Sequence, residues 1–392
     1  MNIFEMDAAY VANTYKRFPL EIVGGQGALL RGADGRTYVD LGSGIAVNTF
    51  GMNDTAWKQA VIAQLDGVGH VSNLYYTAPQ AQLAKLLCER TGMKRVFFGN
   101  SGAEANECAI KAARKYASDK YGPGARPIIV TLINSFHGRT VTTLSATGQE
   151  VFHKDFGPFT EGFVHVPAND LPAMERALAE NACCGVMLEM VQGEGGVIPL
   201  DRDYVQGVAK PCAEKDVLLI ADEVQNGNGR TGTLYAWQQF GVVPDLFSTA
   251  KGLGGGLPIG ACALGEKVEN TLSASSHGST FGGNPICAAG ALNVLSRIDE
   301  ALLAGVRAKH DRILAALNGA PGVEAVTGLG LMLGVKTVRP AAEVVKRCME
   351  NGVLVLTAKD KVRLLSPLNI PNELLNRALA VLKDAAQPWT PA

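Results

Sequence analysis

Lys251-Gly252-Leu253-Gly254-Gly255-Gly256 joins one amine to four glycines within five residues. A lysine held partly out of water beside other cations loses basicity, and its amine becomes a nucleophile able to form a Schiff base. The glycines let a flat group approach the main chain. The Walker order Gly-x-x-x-x-Gly-Lys-Ser/Thr is absent, and the segment does not open a convincing dinucleotide-binding unit. A second candidate is Asp222-Glu223, which closes the apolar run Leu218-Leu219-Ile220-Ala221 and leads into Val224-Gln225. A carboxylate there can bind a metal, keep a protonated ring nitrogen charged, or merely cap the next element. The third is Asn100-Ser101-Gly102-Ala103-Glu104-Ala105-Asn106. Backbone N–H groups at such a helix start, with the Ser101 hydroxyl, can hold a phosphate. Ser101 and Glu104 also have the spacing of an ordinary capping box. A phosphate cradle, a carboxylate for a ring nitrogen and a Schiff-base amine are together what pyridoxal phosphate asks of a protein.

These groups need elements to position them. Candidate strands are Arg95–Phe98, Pro127–Ile133, Gly162–Val166, Gly185–Glu189, Val217–Ala221, Leu246–Thr249 and Ala261–Leu264. Several are apolar without alternation, as strands buried on both faces are. Helical stretches such as Ala103–Ser118 and Asp203–Lys215 lie between many of them. The order predicts an α/β fold with a mostly parallel seven-stranded sheet covered on both faces. Ligands of such sheets sit beyond the carboxyl ends of the strands. The chain ends read differently. Ala28–Arg31 and Thr37–Asp40 flank the turn Ala33-Asp34-Gly35, and a helical run Ala288–Gly319 precedes short strands and another helix. The expected division is a large domain, 61–286, and a smaller α+β domain built from 1–60 and 287–392. Gly227, Gly229 and Gly232 imply a tight loop that Arg230 fixes.

Composition bounds the function. The chain has 392 residues, 47% hydrophobic and 19% charged, with a formal net charge of −1 and no basic block. A nucleic-acid-coating surface needs a basic stripe, so no nucleic-acid partner is expected. No apolar run approaches the roughly 18–20 residues of a membrane span, and no signal pattern opens the chain. The eight cysteines form no Cys-x-x-Cys pair, and the six histidines have no ligand spacing with them. A reduced, cytoplasmic protein without a bound metal is the expectation.

The chain resembles the class III (ornithine-type) pyridoxal-phosphate aminotransferases of fold type I over essentially its whole length, most closely their acetylornithine-using branch. The segments that carry the resemblance are Ser43–Asn48, Asn100–Glu107, Phe136-His137-Gly138-Arg139-Thr140, Gln192-Gly193-Glu194-Gly195-Gly196, Asp222–Gln225, Lys251–Gly256 and His277–Pro285. The resemblance implies that Lys251 carries the cofactor and shuttles a proton. It implies that Asp222 pairs with the ring nitrogen, with Val224 beside it and Gln225 near the ring hydroxyl. Phe136 would stack on the ring. Ser101, Gly102 and Ala103 would hold the phosphate, and Thr280 would reach the phosphate of a neighbouring subunit, making a homodimer with shared sites. Arg139 and Ser279 would contact acetylornithine. Arg363 would bind the glutamate α-carboxylate, with Glu194 as its partner when glutamate is absent; a purely structural ion pair is the other reading. Tyr15 stands where relatives contact substrate, although a packed tyrosine fits as well. Glu189 would support the ring-hydroxyl region or the fold. His137 fits the acetylornithine- or aminobutyrate-using enzymes better than the ornithine δ-aminotransferases, with a ring-edge packing residue as the other reading. One departure is Met52-Asn53-Asp54-Thr55, where the family usually has a His-x-His-Pro turn.

The implied reaction moves the δ-amino group of N2-acetyl-L-ornithine to 2-oxoglutarate by a ping-pong route. Its products are the semialdehyde and glutamate, a step of arginine biosynthesis. Succinyl-diaminopimelate, ornithine or aminobutyrate is the alternative donor. An inert binding protein on the same fold would leave the Lys251, Asp222 and Arg139 set without purpose. A nucleotide binder using Ser101–Ala103 would leave Asp222 and the Lys251 loop unexplained.

Overall fold

The computed structural model describes residues 1–388. One sheet runs in the spatial order Arg95–Gly99, Gly260–Leu264, Leu246–Thr249, Leu218–Asp222, Cys183–Leu188, Ile128–Leu132, Phe163–Val166. These are the seven strands read from the sequence, with ends shifted by one or two residues. Gly260–Leu264 is antiparallel to both neighbours, and the other pairings given for the sheet are parallel. The unbroken apolar runs have a direct cause. Val186, Leu188, Leu219, Ala221, Phe247, Ala261 and Ala263 enter one buried cluster. Cys184, Met187, Leu218, Ile220, Leu246, Cys262 and Leu264 enter another. Successive side chains of a strand point to opposite faces, so both faces are packed.

Helix Gly102–Tyr121 lies on the second face. Its buried positions include Ala105, Ala109, Ala112 and Ala113, small side chains that let it sit close against the strands. Helix Arg202–Lys215 packs on the first face through Tyr204, Val205, Val208 and Cys212. Six strands end on one side of the sheet, at Gly99, Leu132, Val166, Leu188, Asp222 and Thr249. Asn100, Phe136, Glu189, Asp222 and Lys251 stand at or just beyond those ends.

The chain ends meet in a second, four-stranded sheet. Strands Ile22–Gln26, Leu29–Gly32 and Thr37–Asp40 are joined by Val353–Leu354, which runs parallel to the third. Val39 and Leu41 share a buried cluster with Val344, Val353, Leu375 and Leu382. A third sheet, Val323–Leu329, Met332–Thr337, Lys361–Leu364 and Leu356–Ala358, presents Arg363. Arg230 fixes its glycine loop as expected: it is buried and donates to Leu331 O at 3.2 Å and to Ser366 O.

Two expectations need correction, and one strand is additional. The run Ala288–Gly319 is two helices, Pro285–Ser296 and Glu300–Leu317, because Asp299 accepts from Leu302 N at 2.8 Å and starts the second. Ile22–Gln26 was unforeseen as a strand, since Gly24 and Gly25 interrupt its apolar pattern. Tyr15 is 70% exposed, not packed; it lies outside any helix or strand, with Arg17 5.5 Å over its ring. At the unusual turn, Met52 bridges to Gly27, while Asp54 caps helix Thr55–Leu65 and pairs with Arg297 at 3.0 Å. Aspartate there supplies both a cap and an ion pair.

Candidate active site

A cavity of about 480 Å³ opens at the carboxyl ends of the strands. Lys251, Asp222, Phe136, Arg139, Gln225 and Gly102 all line it, as do Ser101, Ala103 and Val224. Nine of the sequence-predicted site residues therefore share one space.

Asp222 is 3% exposed. Its Oδ2 accepts from His137 Nδ1 at 2.7 Å and Asn106 Nδ2 at 2.8 Å. Oδ1 accepts from Val224 N at 3.0 Å and from the Ser248 hydroxyl only at 3.5 Å. Oδ2 is thus occupied, and Oδ1 keeps accepting capacity for another donor. Burial alone would push the His137 imidazolium down, but its hydrogen bond to Asp222 and the Asp222 charge outweigh this and hold it up. His137 is therefore a buried partner of Asp222 and not a ring-edge residue alone.

Lys251 follows strand Leu246–Thr249 with φ +46, a left-handed conformation rarely adopted outside glycine. Such a position costs on the order of 1–3 kcal/mol and persists only where neighbours over-determine it. Here they do. Asn228 Nδ2 donates to Thr249 Oγ1 at 2.9 Å and Ala250 O at 3.1 Å, and Thr49 Oγ1 donates to Gly252 O at 2.7 Å. Burial pushes the Lys251 ammonium below the usual lysine range; the Glu194 charge works against that and the Arg363 charge with it.

Ser101 caps helix Gly102–Tyr121 by accepting from Glu104 N at 3.2 Å. The capping box is half formed, because Glu104 reaches past Ser101 to Asn100 N at 2.5 Å. The first amides of the helix, at Gly102 and Ala103, face no carbonyl of their own helix. A Cβ on Gly102 would lie 2.5 Å from Val224 Cγ1, so only glycine lets these amides stand open beside Val224.

Glu194 and Arg363 do not line the cavity themselves; they cluster with Gln225, which does. Arg363 Nη1 donates to Glu194 Oε1 at 2.5 Å and to Gln225 Oε1 at 3.2 Å. Gln225 Nε2 also donates to Glu194 Oε1 at 3.2 Å. Burial would raise the Glu194 carboxyl, but the Arg363 charge holds it below its usual range. Ser279 is reached through Asn100, whose Nδ2 donates to Ser279 Oγ at 3.0 Å. Thr280 does not line the large cavity; it lines a small pocket of about 10 Å³ with His70 and Asn73. Asn106, Asn228 and Phe152 were not singled out by the sequence. Only Asn106 left a signal: it stands four residues after Gly102, on the same helix face.

Glu189 Oε2 accepts from Phe136 N at 2.9 Å. Burial pushes its carboxyl from the ordinary 4.5 up to about 8, against the His137 charge. The fold therefore keeps a proton that the unfolded chain releases. That stability is fully present below the unfolded value and is lost as pH rises through the folded one. Glu189→Gln keeps an acceptor for Phe136 N and does not titrate. Its Tm relative to the parent protein should climb between about pH 5 and about pH 8. A pH-independent Tm difference by calorimetry would show that Glu189 is charged in the fold.

The donor set fits pyridoxal phosphate. Open helix-start amides and the Ser101 hydroxyl suit a phosphate, and Oδ1 of Asp222 suits a protonated ring nitrogen. Phe136 offers a ring face, and Lys251 an amine for the aldehyde. Comparison with known proteins agrees. The model of the family described as aminotransferase class-III matches residues 10–386. The acetylornithine aminotransferase of Haemophilus ducreyi is 52% identical over 382 residues, covering 97% of each chain. The succinylornithine transaminase of Yersinia pseudotuberculosis is 41% identical over 388 residues, covering 95% of this chain and 94% of its own. The crystal structure of N-acetylornithine aminotransferase from Stenotrophomonas maltophilia K279a superposes with a TM-score of 0.83 at 35% identity, covering 98% of both chains.

Proposed function

Since this chain belongs to the class-III aminotransferase family, we propose that it transfers the δ-amino group of N2-acetyl-L-ornithine to 2-oxoglutarate, forming N-acetylglutamate 5-semialdehyde and glutamate. It is a pyridoxal-phosphate enzyme of fold type I. The observation that carries the reading is the single cavity shared by Lys251, Asp222, Phe136 and Arg139, together with 52% identity to an acetylornithine aminotransferase.

Bound pyridoxal phosphate supplies an aldehyde carbon and a ring that draws electrons from the bond to be broken. The chain supplies the rest. Asp222 Oδ1 holds the proton on the ring nitrogen, with His137 and Asn106 fixing Oδ2. Lys251 Nζ, lowered in basicity, takes and returns the proton at the substrate carbon that bears the amino group. Phe136 orients the ring, and the Gly102 and Ala103 amides with Ser101 hold the phosphate. Arg139 presents a planar fork to the α-carboxylate of the donor, and Ser279 is the second residue we assign to donor binding. A transaminase must admit two amino acids at one site. The Glu194–Arg363 pair answers this as a charge switch: Glu194 neutralises Arg363 for the ω-amine donor, and the α-carboxylate of glutamate displaces it in the second half-reaction.

We read 61–286 as the large cofactor-binding domain and 1–60 with 287–392 as the smaller one. Homodimerisation is part of the proposal. Its support is an exposed apolar group, Leu74 at 87%, Tyr76 at 106% and Phe281 at 59%. Asn73 ties this region to Ser279 O and Gly282 O, beside Thr280, the residue assigned to the neighbouring subunit's phosphate. A cytoplasmic location is supported by eight free cysteines. Among the described residues, no helix is long and apolar enough to cross a membrane.

A donor panel tests the reading. N2-acetyl-L-ornithine should give a higher kcat/KM than ornithine, aminobutyrate or succinylated donors. The succinylornithine transaminase relative makes the succinyl donor the strongest rival. If acetylornithine ranks among the poorest donors, the substrate assignment is wrong. Arg139→Ala should raise the KM for acetylornithine by about tenfold or more, the worth of a charge-assisted pair. Cofactor occupancy should change little. Equal loss of both would remove Arg139 from the substrate role.

A further inference from the structure

Arg139 is exposed, and no carboxylate pairs with its guanidinium among the described residues. Two aromatic rings hold it instead. The guanidinium carbon lies 4.1 Å from the centroid of Phe152 and 5.6 Å from that of Phe136. The two rings meet edge to face, with centroids 5.7 Å apart and planes at 80°. Phe152 is itself anchored. It ends the short turn Glu150–Phe152, and its N–H donates to Gln149 O at 3.0 Å. Gln149 is buried and its Nε2 donates to Ser135 O at 3.0 Å, one residue before Phe136.

A guanidinium whose face lies on a ring keeps its edge N–H groups free, and that edge is the fork that takes a carboxylate. An unpaired arginine on a surface otherwise samples many rotamers, and ordering it upon binding costs affinity. We propose that Phe152 is a positioning residue that holds Arg139 with its fork toward the cavity and so favours donors carrying a carboxylate. The proposal rests on the reading of Arg139 as the carboxylate partner. Phe136 alone cannot serve, because its ring is the more distant and is committed to the cofactor.

The test uses holoenzyme carrying Phe152→Leu, Phe152→Tyr or Arg139→Ala. Two donors are compared: N2-acetyl-L-ornithine, and N-acetyl-1,4-diaminobutane, which lacks the carboxylate. Phe152→Leu should raise the KM for acetylornithine about two- to fivefold, the range of an exposed cation–π contact. Its kcat, its cofactor content and its kcat/KM for the amine without a carboxylate should stay unchanged. Phe152→Tyr keeps an aromatic face and should restore the parent KM. An unchanged KM in Phe152→Leu, equal loss with both donors, or failure of Phe152→Tyr to restore would overturn the proposal. Arg139→Ala separates the two levels. If it raises the acetylornithine KM while Phe152→Leu does not, only the role of Phe152 fails. If it raises neither KM, the role of Arg139 fails and takes this proposal with it.

Discussion

Lys251→Ala protein should still hold pyridoxal phosphate yet turn over at least about 10³-fold more slowly, within the range lost with a positioned proton-transfer group. Occupancy survives because the helix-start amides, Phe136 and Asp222 are supplied by other strand ends. Turnover does not, because among the described residues no second amine lines the cavity beside Lys251. Borohydride reduction followed by peptide mapping should fix the cofactor to the Lys251 peptide in the parent protein and to no peptide in the variant. Small primary amines in the buffer should recover part of the rate, because they can enter the space left by the side chain. Full activity in Lys251→Ala would remove the lysine from the chemistry altogether.

Asp222→Asn is the second large effect. The carboxylate accepts four hydrogen bonds, two at Oδ2 and two at Oδ1. An amide offers one oxygen and sets its NH₂ against two of those donors. Each buried donor left unpaired costs about 1–3 kcal/mol, so Tm should drop by several degrees. Loss of the charge that keeps the ring nitrogen protonated should lower kcat by about 10²–10³-fold, the usual loss when one preorganised electrostatic group is removed. Single-turnover rates with acetylornithine, measured on fully loaded protein, separate this from poorer cofactor binding. A rate within threefold of the parent would show that the ring nitrogen does not depend on Asp222.

Much of this was legible because the physics is local. Unbroken apolar runs such as Leu218–Ala221 announced buried strands, and a carboxylate or amine straight after such a run announced the ligand end of the sheet. The break at Asp299 was harder, since an apolar helical pattern continues on both sides and one cap decides it. Phe152 and Asn228 were invisible for another reason. Nothing in their own neighbourhoods distinguishes them; they matter through partners at Arg139, Thr249 and Ala250, which only the folded chain brings near. Thr280, expected at the neighbouring subunit's phosphate, lies outside the cavity of its own subunit, and a single chain cannot display a contact made across two.

The sheet that joins the two ends of the chain has a bearing on biogenesis. Val353 pairs with Val39, so that contact spans most of the polypeptide, and contacts so distant in sequence form late. The strands between Arg95 and Leu264 leave the ribosome long before Val353 does. Until then the Thr37–Asp40 edge offers unsatisfied backbone groups to any passing nascent chain. Premature termination before residue 353 should therefore yield aggregates, whereas loss of only the last few residues should not.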